Sequence, residues 1–479
     1  MSRLRVWDWA FFSRLTHNGQ SPINMPHVFL RPCLAAAQMP SGREVRMKIL
    51  DYPSDSAAGQ LDRIVHRGLS YGRKELTAVQ RILEDVRKKG DQALIDYTRR
   101  FDAPELEIEQ LEVSAAEIAA AEKKVDRSFK KALARAVEQI SAFHQKQLPR
   151  SWMDAPRPGT FLGQMVHPVD AAGVYVPGAT GGATPLVSSV LMGAIPAKIA
   201  GVSRVVMTTP PRPDGGVSPH LLVAAKKAGV DKIFKAGSAW AIAALAFGTQ
   251  TIAKVDVIVG PGNIYVTLAK KLVAGMVQID MIACPSEILI IADAHADPEY
   301  VAADLLAQAE HDPRASAVLV TDDRPLARAV RDAIKRQVAE LPRRDIAEAS
   351  MKSFGALLVV PDMQTAVALA NSIAPEHLEL QVRDPFDLLS EIRHAGAVFL
   401  GQYTPEAIGD YMAGPNHVLP TAGTARFSSA LSVNHFIKHT SVIHYSAEAF
   451  HKEAGDVVCL ARIEGLEAHA RTIEIRRKK

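Results

Sequence analysis

Between Arg73 and Gln147 apolar positions recur at intervals of three and four, in "AVQRILEDVRKKGDQALIDYTRRFD" and again in "AAEIAAAEKKVDRSFKKALARAVEQISAFHQKQL". That period places them on one face of a helix, so the chain from about Arg73 to Asp170 is predicted to be mostly helical, with Gly90 breaking it. The rhythm then changes. "GVYVPG", "RVVMTTP", "DKIFKAG" and "VDVIVGPGN" read as short strands. The runs "ATGGATPLVSSVLMGAIPAKIAG", "SPHLLVAAKKAG", "SAWAIAALAFG" and "IYVTLAKKLV" read as the helices that alternate with them. A second series sets the strands "SEILIIAD", "SAVLVTDD", "GALLVVPDM", "HLELQV" and "AGAVFLG" between helices such as "PEYVAADLLAQAEH" and "QTAVALANSIAP".

Regular β–α alternation builds parallel sheets covered by helices. The expected fold is α/β: two tandem doubly wound, incomplete Rossmann-like parallel-sheet domains with small N- and C-terminal extensions. The first unit covers roughly 171–285. By sequence the chain divides into an extension at 1–46 and a small segment at 47–70. A larger discontinuous domain follows at 71–174 plus 286–431, with a second domain at 175–285 and a C-terminal segment at 432–479. The tail beyond about 430 reads as mixed helix and loop, too short to build a sheet.

Composition narrows the function classes. Of 479 residues 48% are hydrophobic and 23% charged, an ordinary globular balance. A formal charge of +4 is small for this length and forms no basic stripe, which argues against nucleic-acid or membrane-surface partners. Cys33, Cys284 and Cys459 are scattered and match no disulfide framework or CxxC zinc pattern. A reducing, cytoplasmic setting is expected, and any metal must be held by nitrogen and oxygen. Residues 1–46 hold six Arg, no Lys and two acids. They read either as an Arg-rich transit peptide or, the favoured reading, as an over-extended start before "MKILDY".

Polar residues worth testing lie at four places. In "DLLAQAEHD", Asp304, Gln308 and His311 are spaced by four and three, one stripe on one helical face. Such a stripe either faces water or offers lone pairs to a metal. "SIAPEHLEL" sets Glu376 beside His377, a carboxylate and imidazole suited to acid–base work. "IGDYMAGPNHVLPTAG" carries Asp410 and His417 in a loop of prolines and glycines. "IEGLEAHARTIEIR" carries Glu464 and His469. The turns with Gly178, Gly181 and Gly182, and with Gly260 and Gly262, let backbone N–H groups approach a phosphate. Neither is a GxGxxG fingerprint, and no Walker motif occurs.

Eight motifs in order, "VYVPG", "LMGAIPAKIAGV", "VDVIVGPGNIYVTLAK", "IDMIACPSEILIIAD", "DLLAQAEHD", "APEHLEL", "GDYMAGPNHVLPTAGTARFSS" and "EGLEAHA", resemble the histidinol dehydrogenase family from about Met47 onward. The resemblance implies Gln308, His311, Asp410 and His469 as zinc ligands, one Zn2+ per subunit, and Glu376 with His377 as the catalytic pair. It implies Ser286, His417 and Glu464, together with Gln308, His311, His377, Asp410 and His469, as substrate contacts. Tyr175, Trp240 and Asn263 are implied as NAD+ contacts. Asp304 matches no ligand. The larger domain would then carry the zinc and catalytic residues, and 175–285 the dinucleotide loops. The implied reaction is oxidation of L-histidinol to L-histidine with two NAD+, in a homodimer whose C-terminal segment reaches the partner's active site.

Some features depart from the family pattern. Ser238-Ala239-Trp240-Ala241 stands where many relatives read "GAQA", replacing an amide with an indole. Cys284 replaces a glycine, and the loop "PGATGGATP" is longer than usual. A Cys284 nucleophile is disfavoured, since nothing in the sequence predicts a lowered thiol pKa. Rival readings are a related zinc dehydrogenase of another polar alcohol such as sulfopropanediol, a zinc hydrolase using Glu376 on bound water, and a non-catalytic nucleotide-binding or scaffold protein. Glu464 suits an amine-bearing substrate over an anionic sulfonate.

Overall fold

Strand Ala171–Tyr175 lies at the centre of a five-stranded parallel sheet, in the order Lys232–Lys235, Arg204–Thr209, Ala171–Tyr175, Val257–Val259, Gln278–Ile279. The structure is a computed structural model that describes residues 47–67, 72–178, 184–282 and 284–477. The expectations placed on residues 1–46 and on Gly181 and Gly182 lie outside the described residues. The chain winds outward from the central strand to one edge, then returns and builds the other. The winding therefore reverses between Ala171–Tyr175 and Val257–Val259, where open α/β sheets bind ligands beyond their carboxyl ends.

Side chains alternate across this sheet. Val174, Val205 and Met207 enter one core with helices Val187–Ala200 and Pro219–Lys227. Tyr175, Val206 and Phe234 enter the other with Ser238–Phe247 and Ile264–Val273. The N-terminal helices form a further layer here. Val79, Ile82, Leu83 and Val86 of Arg73–Lys89 and Leu94 and Ile95 of Asp91–Phe101 share the core of Trp240 and Leu245. Leu133, Ala136 and Ile140 of Arg127–Gln145 join the opposite core. This corrects the sequence division that grouped 71–174 with 286–431. Helices sandwiched between layers, such as Ser238–Phe247, are apolar all round, whereas the outer ones keep a polar face.

The second sheet has six parallel strands, in the order Ile49–Asp51, Gly355–Val359, Ser316–Thr321, Glu287–Ala292, His377–Gln381, Ala397–Leu400. The start of the segment 47–70 is thus built into this sheet as edge strand Ile49–Asp51, and helix Asp55–Val65 covers one face through Ala57, Leu61 and Ile64. The α/β expectation of two parallel-sheet units holds.

A third sheet departs from the sequence reading. Trp152–Arg157 and Thr160–Pro168 form an antiparallel pair, and Ile437–Tyr445 adds along the full length of Thr160–Pro168. The region before Asp170 is therefore not helical to its end, and the tail does supply a strand. Its pairing joins segments 269 or more positions apart, Pro168 with Ile437 being the closest in sequence. Local periodicity carries no signal of such a pairing.

Candidate active site

Gln308, His377, Glu376 and Ser286 meet at the amino-terminal edge of the six-stranded sheet, not at the carboxyl edge. Strand Glu287–Ala292 and strand His377–Gln381 run side by side, with His377 opposite Ile288. Helix Pro298–Ala309 returns antiparallel to its strand and so brings its C-terminal end, with Gln308, to the same edge. The helix stops at Ala309, so His311 lies beyond it; the His311 N–H donates to the Gln308 carbonyl at 3.2 Å, a tight turn that keeps the two side chains close. The predicted continuous stripe is in fact a helix end plus a turn. A helix C-terminus carries partial negative charge and favours a cation there.

Two acids below this edge form a scaffold with Arg67. Its guanidinium, 1% exposed in its side chain, donates to Glu287 Oε2 at 2.8 Å and to the Ile64 and Pro285 carbonyls at 2.7 and 3.0 Å. The other Glu287 oxygen accepts from the Glu376 and Ala422 N–H groups at 3.2 and 3.0 Å. In return the Glu287 N–H donates to Glu376 Oε2 at 3.0 Å. Burial pushes the Glu376 carboxyl well above its ordinary range, and the Glu287 charge adds to this.

His377 Nδ1 lies 3.0 Å from the Glu287 carbonyl oxygen, which can only accept, so Nδ1 carries the hydrogen and Nε2 the lone pair. Burial holds the ring neutral by lowering its pKa to about 4. Nε2 faces Glu406 Oε1 at 3.7 Å. Gln308, fully buried, donates to both Glu406 oxygens at 3.1 and 3.3 Å when its amide nitrogen faces that carboxylate; a half-turn presents its oxygen instead. Burial and the neighbouring acids Asp410, Glu376 and Glu379 hold Glu406 well above the usual carboxylate range.

Helix Glu406–Tyr411 supplies Glu406 and, one turn later, Asp410. Burial pushes Asp410 up, but the His417 imidazole, with Nδ1 3.6 Å from Oδ1, outweighs it by hydrogen bond and charge and holds the group below its ordinary value. One donor atom each from His311, Glu406 and Asp410 lies within 4.8 Å of the others. Glu406 was absent from the sequence expectations; the spacing of four before Asp410 in "EAIGD" was the signal available.

A second line of buried acids holds this helix. The Glu406 N–H donates to Glu379 Oε1 at 2.9 Å, and Gln381 Nε2 donates to Asp304 and Glu379 at 2.7 and 2.8 Å. Burial and the Asp304 charge drive Glu379 well above its ordinary range, so it keeps its proton and shares it with Asp304. Asp304 is thereby a support beneath the site.

The donor set is imidazole, carboxylate and amide, which suits a borderline divalent cation. Several acids are buried close by while Arg67 is already paired with Glu287, so added positive charge would be stabilised here. His469 and Glu464 are exposed on the hairpin of helices Ala447–Ile463 and Glu467–Arg477, and His469 is not in the cluster formed by the described residues of one chain. Cys284 gives no support to a thiolate: burial pushes its pKa up.

The expected cofactor contacts are engaged elsewhere. Trp240, 5% exposed, donates its indole N–H to Thr98 Oγ1 at 3.1 Å and stacks with Tyr97 and Phe101 at ring distances of 5.8 and 5.5 Å. The indole expected to contact the cofactor is thus packed within the helical layer. Tyr175 is buried with its hydroxyl accepting from the Ser238 N–H at 3.1 Å. Asn263 caps helix Ile264–Val273 through bonds from the Tyr265 and Val266 N–H groups. Gly260, at φ +120°, passes so close to strand Ala171–Tyr175 that a Cβ would stand 2.1 Å from the Tyr175 carbonyl oxygen.

The pattern of the histidinol dehydrogenase family matches residues 67–477. The chain belongs to the histidinol dehydrogenase family. It is 58% identical over 402 residues to a histidinol dehydrogenase of Desulfotalea psychrophila, covering 84% of this chain and 93% of that one. Identity to the Syntrophotalea carbinolica relative is 52% over 432 residues, with 90% and 99% covered. The crystal structure of histidinol dehydrogenase from Elizabethkingia anophelis superposes with a TM-score of 0.85 at 35% identity, covering 91% of this chain and 99% of that one. As a member of this family the chain is an oxidoreductase of amino-acid biosynthesis. Among the described residues no helix is long and apolar enough to cross a membrane.

Proposed function

We propose that this chain is an L-histidinol dehydrogenase that oxidises L-histidinol through L-histidinal to L-histidine with two NAD+, as a zinc-dependent cytoplasmic homodimer. The observation that carries the reading is the neutral, oriented His377 beside buried Gln308 and Glu406, with half-buried Asp410 and exposed His311 completing the cluster. A zinc ion held by His311, Asp410 and the Gln308 oxygen, with the partner's His469, would fix the amine and imidazole of the substrate as a template. Nicotinamide would accept each hydride.

The remaining work falls to side chains. His377 Nε2 takes the alcohol proton as hydride leaves the same carbon, giving the aldehyde; its lowered pKa keeps it unprotonated and ready. Glu376 lies next to it, and once ionised its raised pKa makes it a stronger base that draws a proton from water adding to the aldehyde. The hydrate loses a second hydride, with His377 again the base. Glu287 holds both residues, one through its carbonyl and one through its N–H. Ser286, half-buried at the head of this strand, and His417, paired with Asp410, are positioned to border the substrate.

Exposed apolar residues support the dimer. Ile443, Leu460 and Ile463 are 71%, 62% and 77% exposed on the third sheet and helix Ala447–Ile463. Large apolar side chains left this exposed are found at subunit interfaces. Burying them against a second copy would deliver Glu464 and His469 to the neighbouring site. The test is NADH formed per histidine. Two are expected, and H377N should lower kcat by about 100- to 10,000-fold while leaving histidinol binding in place. Turnover of a sulfonated alcohol but not histidinol would overturn the assignment.

A further inference from the structure

Asp102 caps helix Asp91–Phe101 at the carboxyl edge of the five-stranded sheet, and its Oδ2 is shut off from solvent without a hydrogen-bond partner. Burial alone raises this carboxyl to about 7. It packs against the Gly237–Ser238 turn, where a Cβ on Gly237 would stand 3.1 Å from Oδ2. Ser238 is held in the left-handed region, φ 44°, and its N–H is committed to the Tyr175 hydroxyl. Strain of this kind persists where surrounding structure requires it. The Asp102 charge also reaches Tyr175, whose phenol burial and that charge hold above its ordinary value. Thr208 sits opposite Tyr175 in the sheet register, and its fully buried Oγ1 likewise lacks a partner.

A helix end, two strand ends and a turn therefore converge beside the point where the winding reverses. They leave acceptors that none of the described residues satisfies. A buried acceptor without a donor is costly, and two adjacent O–H groups of a sugar are the donors a carboxylate takes best. In doubly wound folds an acid in this role binds ribose hydroxyls, and its charge opposes a 2′-phosphate.

We propose that Asp102 is the ribose-hydroxyl acceptor of the dinucleotide crevice and that it selects against a 2′-phosphorylated cofactor. This rests on the dinucleotide reading above and adds to it a residue and a selectivity. Its test is titration of the zinc-loaded full chain with NADH and, in parallel, NADPH, followed by cofactor fluorescence at pH 8.5. The wild-type chain should bind NADH more tightly than NADPH. D102A should weaken NADH by about tenfold or more and narrow the gap to NADPH, with D102N between them. Wild-type preference for NADPH overturns the proposal without any variant, and so does an unchanged NADH affinity in folded D102A. Binding of neither cofactor by the wild-type chain would remove the dinucleotide reading itself. If wild-type NADH binding is intact and D102A unaffected, this subsite alone is refuted.

Discussion

Replacing Arg67 with methionine removes the cation beneath the catalytic pair without touching a group that meets substrate. Five hydrogen bonds are lost, to the Ile64, Arg314, Pro285 and Ser286 carbonyls and to Glu287 Oε2. The larger effect is electrostatic. With both side chains 4% exposed or less, Glu287 is left as an uncompensated buried charge. Breaking such a pair costs about 3–5 kcal/mol, whereas a surface pair costs about 1 or less. Glu287→Gln in the same background removes the stranded charge and keeps an oxygen for the Glu376 and Ala422 N–H groups. The double variant should therefore be less destabilised than the sum of the singles by about 2–3 kcal/mol. The assay is urea unfolding at one fixed protein concentration, followed by tryptophan fluorescence. R67M should also lower kcat, because Glu287 aligns both Glu376 and His377. Singles that add within about 0.5 kcal/mol, or an R67M loss under about 1 kcal/mol, would refute the reasoning.

Other outcomes are as direct. Chelation should abolish turnover and lower the melting temperature, and zinc at a thousand times its Kd should return about 4 kcal/mol; a metal-free chain that turns over would exclude the metal role. W240F should cost about 1 kcal/mol for the lost bond to Thr98 and leave NADH affinity unchanged, since the indole lies in the core. A large change in NADH affinity would put the indole back in the crevice. Asp102 has a folded pKa of about 7, above the ordinary carboxylate value of 3.8, so its contribution is fully present below about pH 4 and is lost as pH rises through 7. D102N should therefore shrink the fall in melting temperature between pH 5 and pH 8, and an identical fall in the variant would count against this burial.

Much of the fold was legible because it is local. The β–α alternation of 171–285 and 286–400 is a pattern of neighbouring residues, and parallel strands buried on both faces read as continuous apolar runs. The N-terminal helices were legible as helices, yet their allegiance was not. The period of Arg73–Lys89 reveals that one face is buried but not which sheet covers it, and the structure sets it on Trp240 and Leu245.

The candidate site divides in the same way. Gln308, His311, Glu376, His377 and Asp410 stood out by residue type and motif. Glu406, Glu287 and Arg67 did not, because a lone acid or arginine has no meaning until burial is known. By itself the sequence determined the element types of the two parallel-sheet units, the family and most of the side chains offered for chemistry, since these depend on spacing along the chain. Tertiary structure alone decided that Trp240 is core and that Glu406 lies against both Gln308 and His377. It also decided that the tail from Ile437 pairs with Thr160–Pro168. Those outcomes depend on desolvation and on contacts between distant segments, and neither has a period in the sequence.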